Sequence, residues 1–543
     1  MNNNQSLSAF LRRYRPVLLL AALTILLAGF NLTGRGAGVA GAAGDTGIRD
    51  FNFGFTQAPG GDPNNGPTGE KPQSKLWYNA GTWWGVMYNP AAGTGGEYHI
   101  YRFSSSNQTW SDTGVFIDSR RESHSDTLWD GSHLYVATAV QPGTGDTDLR
   151  ALVYRFSYNA STNTYSLDSG FPVAVANQVM EAIVIDKDTT GMLWVTFTGA
   201  NSTGGRNVYV AHSTTGDAAW AAPYIIPAQG TQNLTADDIS SVVAFSGQIG
   251  VMWSNQTDST MYWATHTDGA ADNVWAQNPA LQGPSYADDH INLKSLQADP
   301  AGRVFAAVKT SLQDIANQNP SQPQLLLLYL DQHGSWNRRT FSTVGDNQTR
   351  PIVLIDTDHR NLYMFATTNN GNAPSAIIYK ATPIDNINFP SGQGTVFMQS
   401  STDTNINNAT SKKGSVNSQT GLLVLASDLS TGNYWHNSIN LAATGTLPTA
   451  TPSTSTPTPT PAATTNLALN RPAVASSLES SSYPASNAVD GNTSTRWSSQ
   501  FSDPQWIYVD LGSSYNISSV TLMWETAYAS AFQIQVSSDA TNW

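Results

Sequence analysis

Cysteine is absent from all 543 residues. No disulfide, thiolate metal cage or lipidated N-terminal cysteine is therefore available, and stability must come from burial in large domains. Charge is also scarce: Asp, Glu, Lys and Arg make up 12% of the chain, and the formal net charge is −13. No basic patch of the kind that holds phosphate backbones is visible, which argues against nucleic acid as a partner. Long helical periodicity is missing. So are a phosphate-binding glycine loop, a zinc-type His/Glu helix and a Gly-x-Ser-x-Gly elbow. The nine His show no metal-ligand spacing.

What is present begins with an export signature. Arg12, Arg13 and Arg15 precede an apolar run from Val17 to Phe30, and small residues follow from Gly38 to Ala43. A spanning helix needs about 20 apolar residues, so residues 1–43 read as a signal peptide, with an uncleaved anchor as the alternative. After cleavage no span is expected, and the protein is expected outside the cell or on its surface. Residues 446–465, TLPTATPSTSTPTPTPAATT, cannot bury a core and read as an extended Thr/Pro linker. Trp and Tyr are abundant and the polar residues are mainly uncharged, a mix suited to sugars. Most of these aromatics are also what a β core needs.

Residues 46–445 repeat. Apolar, aromatic-rich strands begin at Trp83, Leu134, Leu193, Ile249, Val304, Leu362 and Leu422, spaced 51 to 60 residues apart. A second strand follows most of them, as at Tyr98–Phe103 and Ala151–Phe156. An aromatic for an outer strand comes next: Trp110, Tyr165, Trp220, Trp275, Trp336 or Phe389. This period fits four-stranded blades, and seven of them fit a closed β-propeller. The last unit is short, so a six-bladed ring with an irregular seam is the runner-up, and a β-sandwich fits the even repeat less well.

Residues 466–543 show short alternating strands, clearest at Trp506–Leu511 and Val520–Trp524. Asn466-Leu467-Ala468, Asn470, Pro472, Ala488–Asn492, Thr495-Arg496-Trp497, Trp506, Val509–Gly512, Gln535–Ser537 and Trp543 stand in order. In these residues the segment resembles the discoidin, or coagulation factor 5/8 type C, family, which overlaps bacterial carbohydrate-binding modules. The resemblance implies a jelly-roll sandwich that binds glycans, often galactose-type sugars, through end loops. It also implies a structural Ca2+ at Asp490, Asn492 and Thr495, where a tight turn is the alternative. The family's domain runs well beyond Trp543, so the module is expected to be incomplete. Tyr483, Phe501 and Tyr528 are the candidate sugar contacts, and Trp497 and Trp506 are expected in the core.

In the propeller, scarce charges collect where innermost strands are expected, with His and Asn among them: Lys75, Arg120, Arg121, Glu122, His124, Asp126, Glu181, Asp237, Asp238, His290, Asn292, Lys294, Arg350, Lys412 and Lys413. A binding site there takes Lys75, His124, His290 and Lys294. A hydrolytic one takes Asp126 and Glu181 as acid and base. The repeat resembles a bacterial seven-bladed propeller and is distantly similar to sialidases, in which an arginine cluster holds the substrate carboxylate; the resemblance implies Arg121, Arg350 and Lys294 as the cationic candidates. The Ser-x-Asp-x-Gly-x-x-Trp turns of that family survive only in eroded form, at Ser213–Trp220 and Thr267–Trp275. The expected function is attachment to glycans or surface polysaccharide, with extracellular glycoside hydrolysis as the alternative.

Overall fold

The structure is a computed structural model that describes residues 44–56, 66–69, 71–140, 147–296, 302–442, 466–502, 504–512, 520, 522–524 and 534–537. The signal-peptide and linker readings lie outside these residues, as does Tyr528. The chain divides into two compact units, one containing the repeats and one containing the C-terminal module.

Among the described residues the repeats form seven antiparallel sheets in chain order, and the unit is a seven-bladed β-propeller. The first blade runs outward through Leu76–Asn79, Thr82–Asn89, Glu97–Ser104 and Thr109–Asp118. Each blade starts innermost, so the innermost strands run parallel around the axis. Isolated parallel bridges between Leu76 and Lys412 and between Asp356 and Val416 record that alignment. Trp110, Tyr165, Trp220 and Trp336 lie in outer strands as expected, while Trp275 and Phe389 fall just before them.

The short last unit is completed from the other end of the chain. Ile48–Asn52 pairs antiparallel with Asn433–Ile439 and becomes the outermost strand of the blade built from Ile406–Thr410 and Leu422–Asp428. This rules out the six-bladed alternative. The local reason is a period of two: Phe51, Phe53 and Phe55 share one face. Phe51 stacks on Tyr101 at 4.9 Å, and Phe53 packs edge-on against Tyr434 at 5.1 Å. The closure thus joins the seventh blade to the first.

Neighbouring blades are stitched at their innermost strands by one device used three times. A side-chain oxygen on one blade accepts a backbone N–H from the next. Asp126 takes Ile185 N at 2.9 Å, Asp186 takes Ala244 N at 2.8 Å, and Asn292 takes Val353 N at 3.2 Å. Sheet edges facing the axis would otherwise leave these donors buried without partners.

In the C-terminal unit, Ala473–Ala475 pairs antiparallel with Ile507–Val509 and a short 3-10 turn covers Ala485–Ala488. Trp497 donates to Ser477 O at 3.0 Å. Trp506 departs from expectation: it is 43% exposed and stacks on Tyr508, because its neighbours Ile507 and Val509 carry the strand pairing and leave its ring at the edge.

Phe53 is fully buried at the closure. Phe53→Ala is expected to lower the unfolding free energy by about 3–5 kcal/mol in urea titration. Leu167→Ala, at an exposed outer strand, should stay within about 0.5 kcal/mol.

Candidate functional site

The propeller axis is not an open channel. Residues 66–69 and 71–75, which lead into the first blade, are buried along it. They touch blades on every side. Thr68 and Ser427 hydroxyls are 2.8 Å apart, Gln73 Nε2 donates to Ile183 O at 2.9 Å, and Lys75 Nζ donates to Gln73 Oε1 and to Ser125 O. Ser74 N donates to Asp126 Oδ1 at 2.7 Å, and Lys294 Nζ donates to Ser74 Oγ at 3.0 Å.

At the N-terminal ends of the innermost strands the site is acidic. Lys71 Nζ bridges Glu181 Oε1, at 3.1 Å, and Asp289 Oδ2, while Asn292 Nδ2 donates to the Lys71 carbonyl. His290 Nδ1 lies 2.5 Å from both Asp288 and Asp289, and its Nε2 is 3.1 Å from Thr349 Oγ1. Lys309 pairs with Asp288 at 2.9 Å. Burial pulls the Asp289 carboxyl up, yet the charges of His290 and Lys71 outweigh it and hold the group well below the ordinary carboxylate range. Nearby Asp237 is raised, by burial and then by the Asp289 charge. Asp288, Asp289 and His290 cluster closely enough to hold a cation, but two ammonium groups already occupy their acceptor faces.

At the C-terminal ends the balance inverts. A cavity of about 300 Å3 is lined by Trp77, Tyr78, Trp129, Asp186, Lys412 and Lys413, among others. Lys413 pairs with Asp126 at 2.8 Å. Lys412 makes no hydrogen bond or ion pair among the described residues, and its Nζ lies 6.0 Å from the Trp83 ring centre. Burial, then the Lys413 charge, brings Lys294 down to about 7, and burial brings Lys412 to about 8. A shallower groove near Ile226 and Gln277 carries no ionisable group, and its Gln277 side-chain amide is spent on the Gln229 backbone.

The sequence candidates therefore separate. Lys71 brings Glu181 and Asp289 together, and His290 joins them. Asp126 is fully buried mid-strand as an acceptor for backbone and Lys413. Lys75 is inside the axial segment, Lys294 faces it, and His124 is buried on the innermost strand Ser123–Trp129. Arg121 is exposed and stacks on Phe55 with its Cζ 4.4 Å from the ring centre. Arg350 is buried against Gly371, at the start of the sixth blade. Lys71, Gln73, Asp288, Asp289 and Lys309 were not singled out from the sequence. Residues 66–75 read GPTGEKPQSK, and only the lysines among them mark anything but a loop.

In the C-terminal module, Phe501 is 70% exposed, and Tyr483 is half-buried with Arg496 Cζ 4.3 Å above its ring. Asp490 Oδ1 accepts Asn492 N at 2.8 Å and Oδ2 accepts the Thr495 hydroxyl at 2.7 Å. Those bonds, the hydroxyl first, hold the Asp490 carboxyl below its ordinary range. Thr495 Oγ1 also lies 2.8 Å from Asn492 O. Three hard oxygens thus gather in one turn, which fits part of the six to eight that calcium takes.

A family model described as a NedA-like, galactose-binding domain of the F5/8 type C class matches residues 487–543. No curated protein matches the chain. Solved structures similar to it include the periplasmic gluconolactonase PpgL of Pseudomonas aeruginosa, at 12% identity and TM-score 0.38, covering 66% of this chain and 96% of that one. A polysaccharide lyase of family PL25, an ulvan lyase, is similar at 10% identity and TM-score 0.42, covering 72% and 96%. A sialidase of Trypanosoma rangeli is similar at 11% identity and TM-score 0.39, covering 60% and 58%.

Lys71→Met would leave two buried carboxylates without their shared cation. It is expected to cost about 3–5 kcal/mol at pH 7, and adding Asp289→Asn should recover part. Because folding depresses the Asp289 value, its contribution is full above about pH 4 and is lost as pH falls through the folded value. Unfolding free energies measured from pH 7 to pH 3 should show that acid loss in the native protein and less of it in Lys71→Met.

Proposed function

We propose that this is an exported carbohydrate-binding protein that attaches to glycans or surface polysaccharide, with the C-terminal module making the principal sugar contact. The match of residues 487–543 to a galactose-binding domain carries the reading. Exposed Phe501 and the Arg496-capped Tyr483 support it, since ring faces stack on pyranoses and guanidinium groups donate to hydroxyls. The export signature at residues 1–43 is consistent with such a role, and among the described residues no helix is long and apolar enough to cross a membrane. Calcium at Asp490, Asn492 and Thr495 belongs to the same proposal and would fix the turn beside Arg496.

Hydrolysis is the second reading, and one observation bears on it. Glu181 and Asp289 share the Lys71 ammonium, so two carboxylates meet at one mouth. The same lysine stands between them, where a glycosidic oxygen would have to enter, and this makes binding the stronger reading.

Galactose-type oligosaccharides titrated calorimetrically into the full chain should bind, and Phe501→Ala should weaken them severalfold. Failure to retain any sugar on a glycan array would contradict the proposal. Calcium at about 100 times its dissociation constant should stabilise the module by about 2.7 kcal/mol, and Asp490→Asn should abolish that gain. Turnover of fluorogenic glycosides that is lost in Glu181→Gln would establish the hydrolytic reading instead.

A further inference from the structure

The propeller has two chemically different mouths. At the N-terminal ends Lys71, Lys309 and His290 pair with Glu181, Asp288 and Asp289. At the C-terminal ends the count runs the other way. Lys294, Lys412 and Lys413 face Asp126 and Asp186, so cations exceed anions in a chain whose net charge is −13. Both carboxylates are already engaged. Asp126 accepts Ser74 N and Ile185 N as well as Lys413, and Asp186 accepts Lys187 N and Ala244 N. Lys412 is left over: it makes no hydrogen bond or ion pair among the described residues, and its ammonium lies 6.0 Å from the Trp83 ring centre. A half-buried lysine without an anion is an unfavourable arrangement unless something else supplies the negative charge.

The cavity has the build of a site for a small ligand. Its volume of about 300 Å3 is that of a one-ring pocket. Leu76 and Trp77, which continue the axial segment into the first blade, form part of its wall. Tyr78 and Trp129, both half-buried, give it aromatic wall, and Ser415 adds a hydroxyl beside the two lysines.

We propose that this mouth binds an acidic saccharide unit, with Lys412 and Lys413 holding a carboxylate or sulfate ester and Tyr78 and Trp129 contacting the pyranose. The saccharide part rests on the carbohydrate-binding reading above, whereas the demand for an anion rests on the cavity alone. Lys412 is the anchor, because Lys413 is already shared with Asp126. Lys294 is lowered by burial and by Lys413 against Asp126 and Asp186, and Lys412 by burial, which gives the site a pH signature. An anion restores the missing partner and favours the protonated lysines. Affinity should therefore be highest below pH 7 and fall as pH rises through 8.

The test is calorimetry on the full chain with oligogalacturonate, a sulfated galactan oligosaccharide, a neutral galactan oligosaccharide and inorganic sulfate. At least one acidic oligosaccharide should bind more tightly than the neutral one and be competed by inorganic sulfate. Lys412→Glu should weaken it roughly ten- to hundredfold, the worth of a charge-assisted bond. Lys412→Arg should retain it, and neutral galactan should bind both variants as it binds the native chain. Oligogalacturonate and sulfated galactan distinguish carboxylate from sulfate as the preferred group. If Lys412→Glu does not fold, the loss of acidic-sugar affinity between pH 6.5 and 9 in the native chain carries the test. Acidic and neutral sugars binding alike, with no effect of Lys412→Glu or of pH, would overturn this inference and leave the carbohydrate-binding proposal standing. No binding of any saccharide would overturn both, and binding of inorganic sulfate alone would reject the saccharide assignment.

Discussion

The axial segment is the constraint on which the rest of the propeller depends. Innermost strands converge on a line where backbone edges and polar side chains would face a water-filled hole. Here residues 71–75 lie on that line and supply donors and acceptors to at least four blades. Lys71 is its most demanding member, since its ammonium is out of water and needs both Glu181 and Asp289. Once the segment is seated, the two ends of the ring no longer communicate, and each mouth has its own charge balance.

The parallel run of the innermost strands turns that separation into chemistry. Residues preceding these strands, such as Glu181 and Asp289, gather at one end, and residues following them, such as Lys412 and Lys413, gather at the other. The stitches from Asp126, Asp186 and Asn292 fix blade against blade, and Ile48–Asn52 closes the circle. Two of the three stitching groups are acids, so carboxylates that resemble catalytic candidates in the sequence act here as acceptors for backbone N–H.

The repeat of aromatic strands was legible because each innermost hairpin carries its own period-two apolar pattern. The strand that closes the seventh blade was not, because it is contributed by residues nearly 400 positions away in the chain, and pairing at that distance leaves no local mark. The clustering of scarce charge pointed to the innermost strands. It did not separate Lys75, which is sealed inside, from Lys412, which faces a cavity, because burial depends on where a Gly/Pro-rich loop passes. Lys71 and Gln73 lie in such a loop, without periodicity. In the C-terminal module the Asp490–Thr495 turn and the Trp497 anchor followed from residue order, whereas the exposure of Trp506 depends on which face of a short strand pair is covered.

Hydrogen exchange on the full chain reads the axial segment directly. Buried and bonded as described, the amides of Ser74 and Lys75 should exchange only through global opening, as slowly as those of Ile185 and Ala244 on the innermost strands. Exchange of the 71–75 stretch within seconds, while the innermost strands stay protected, would show an open channel and contradict the account.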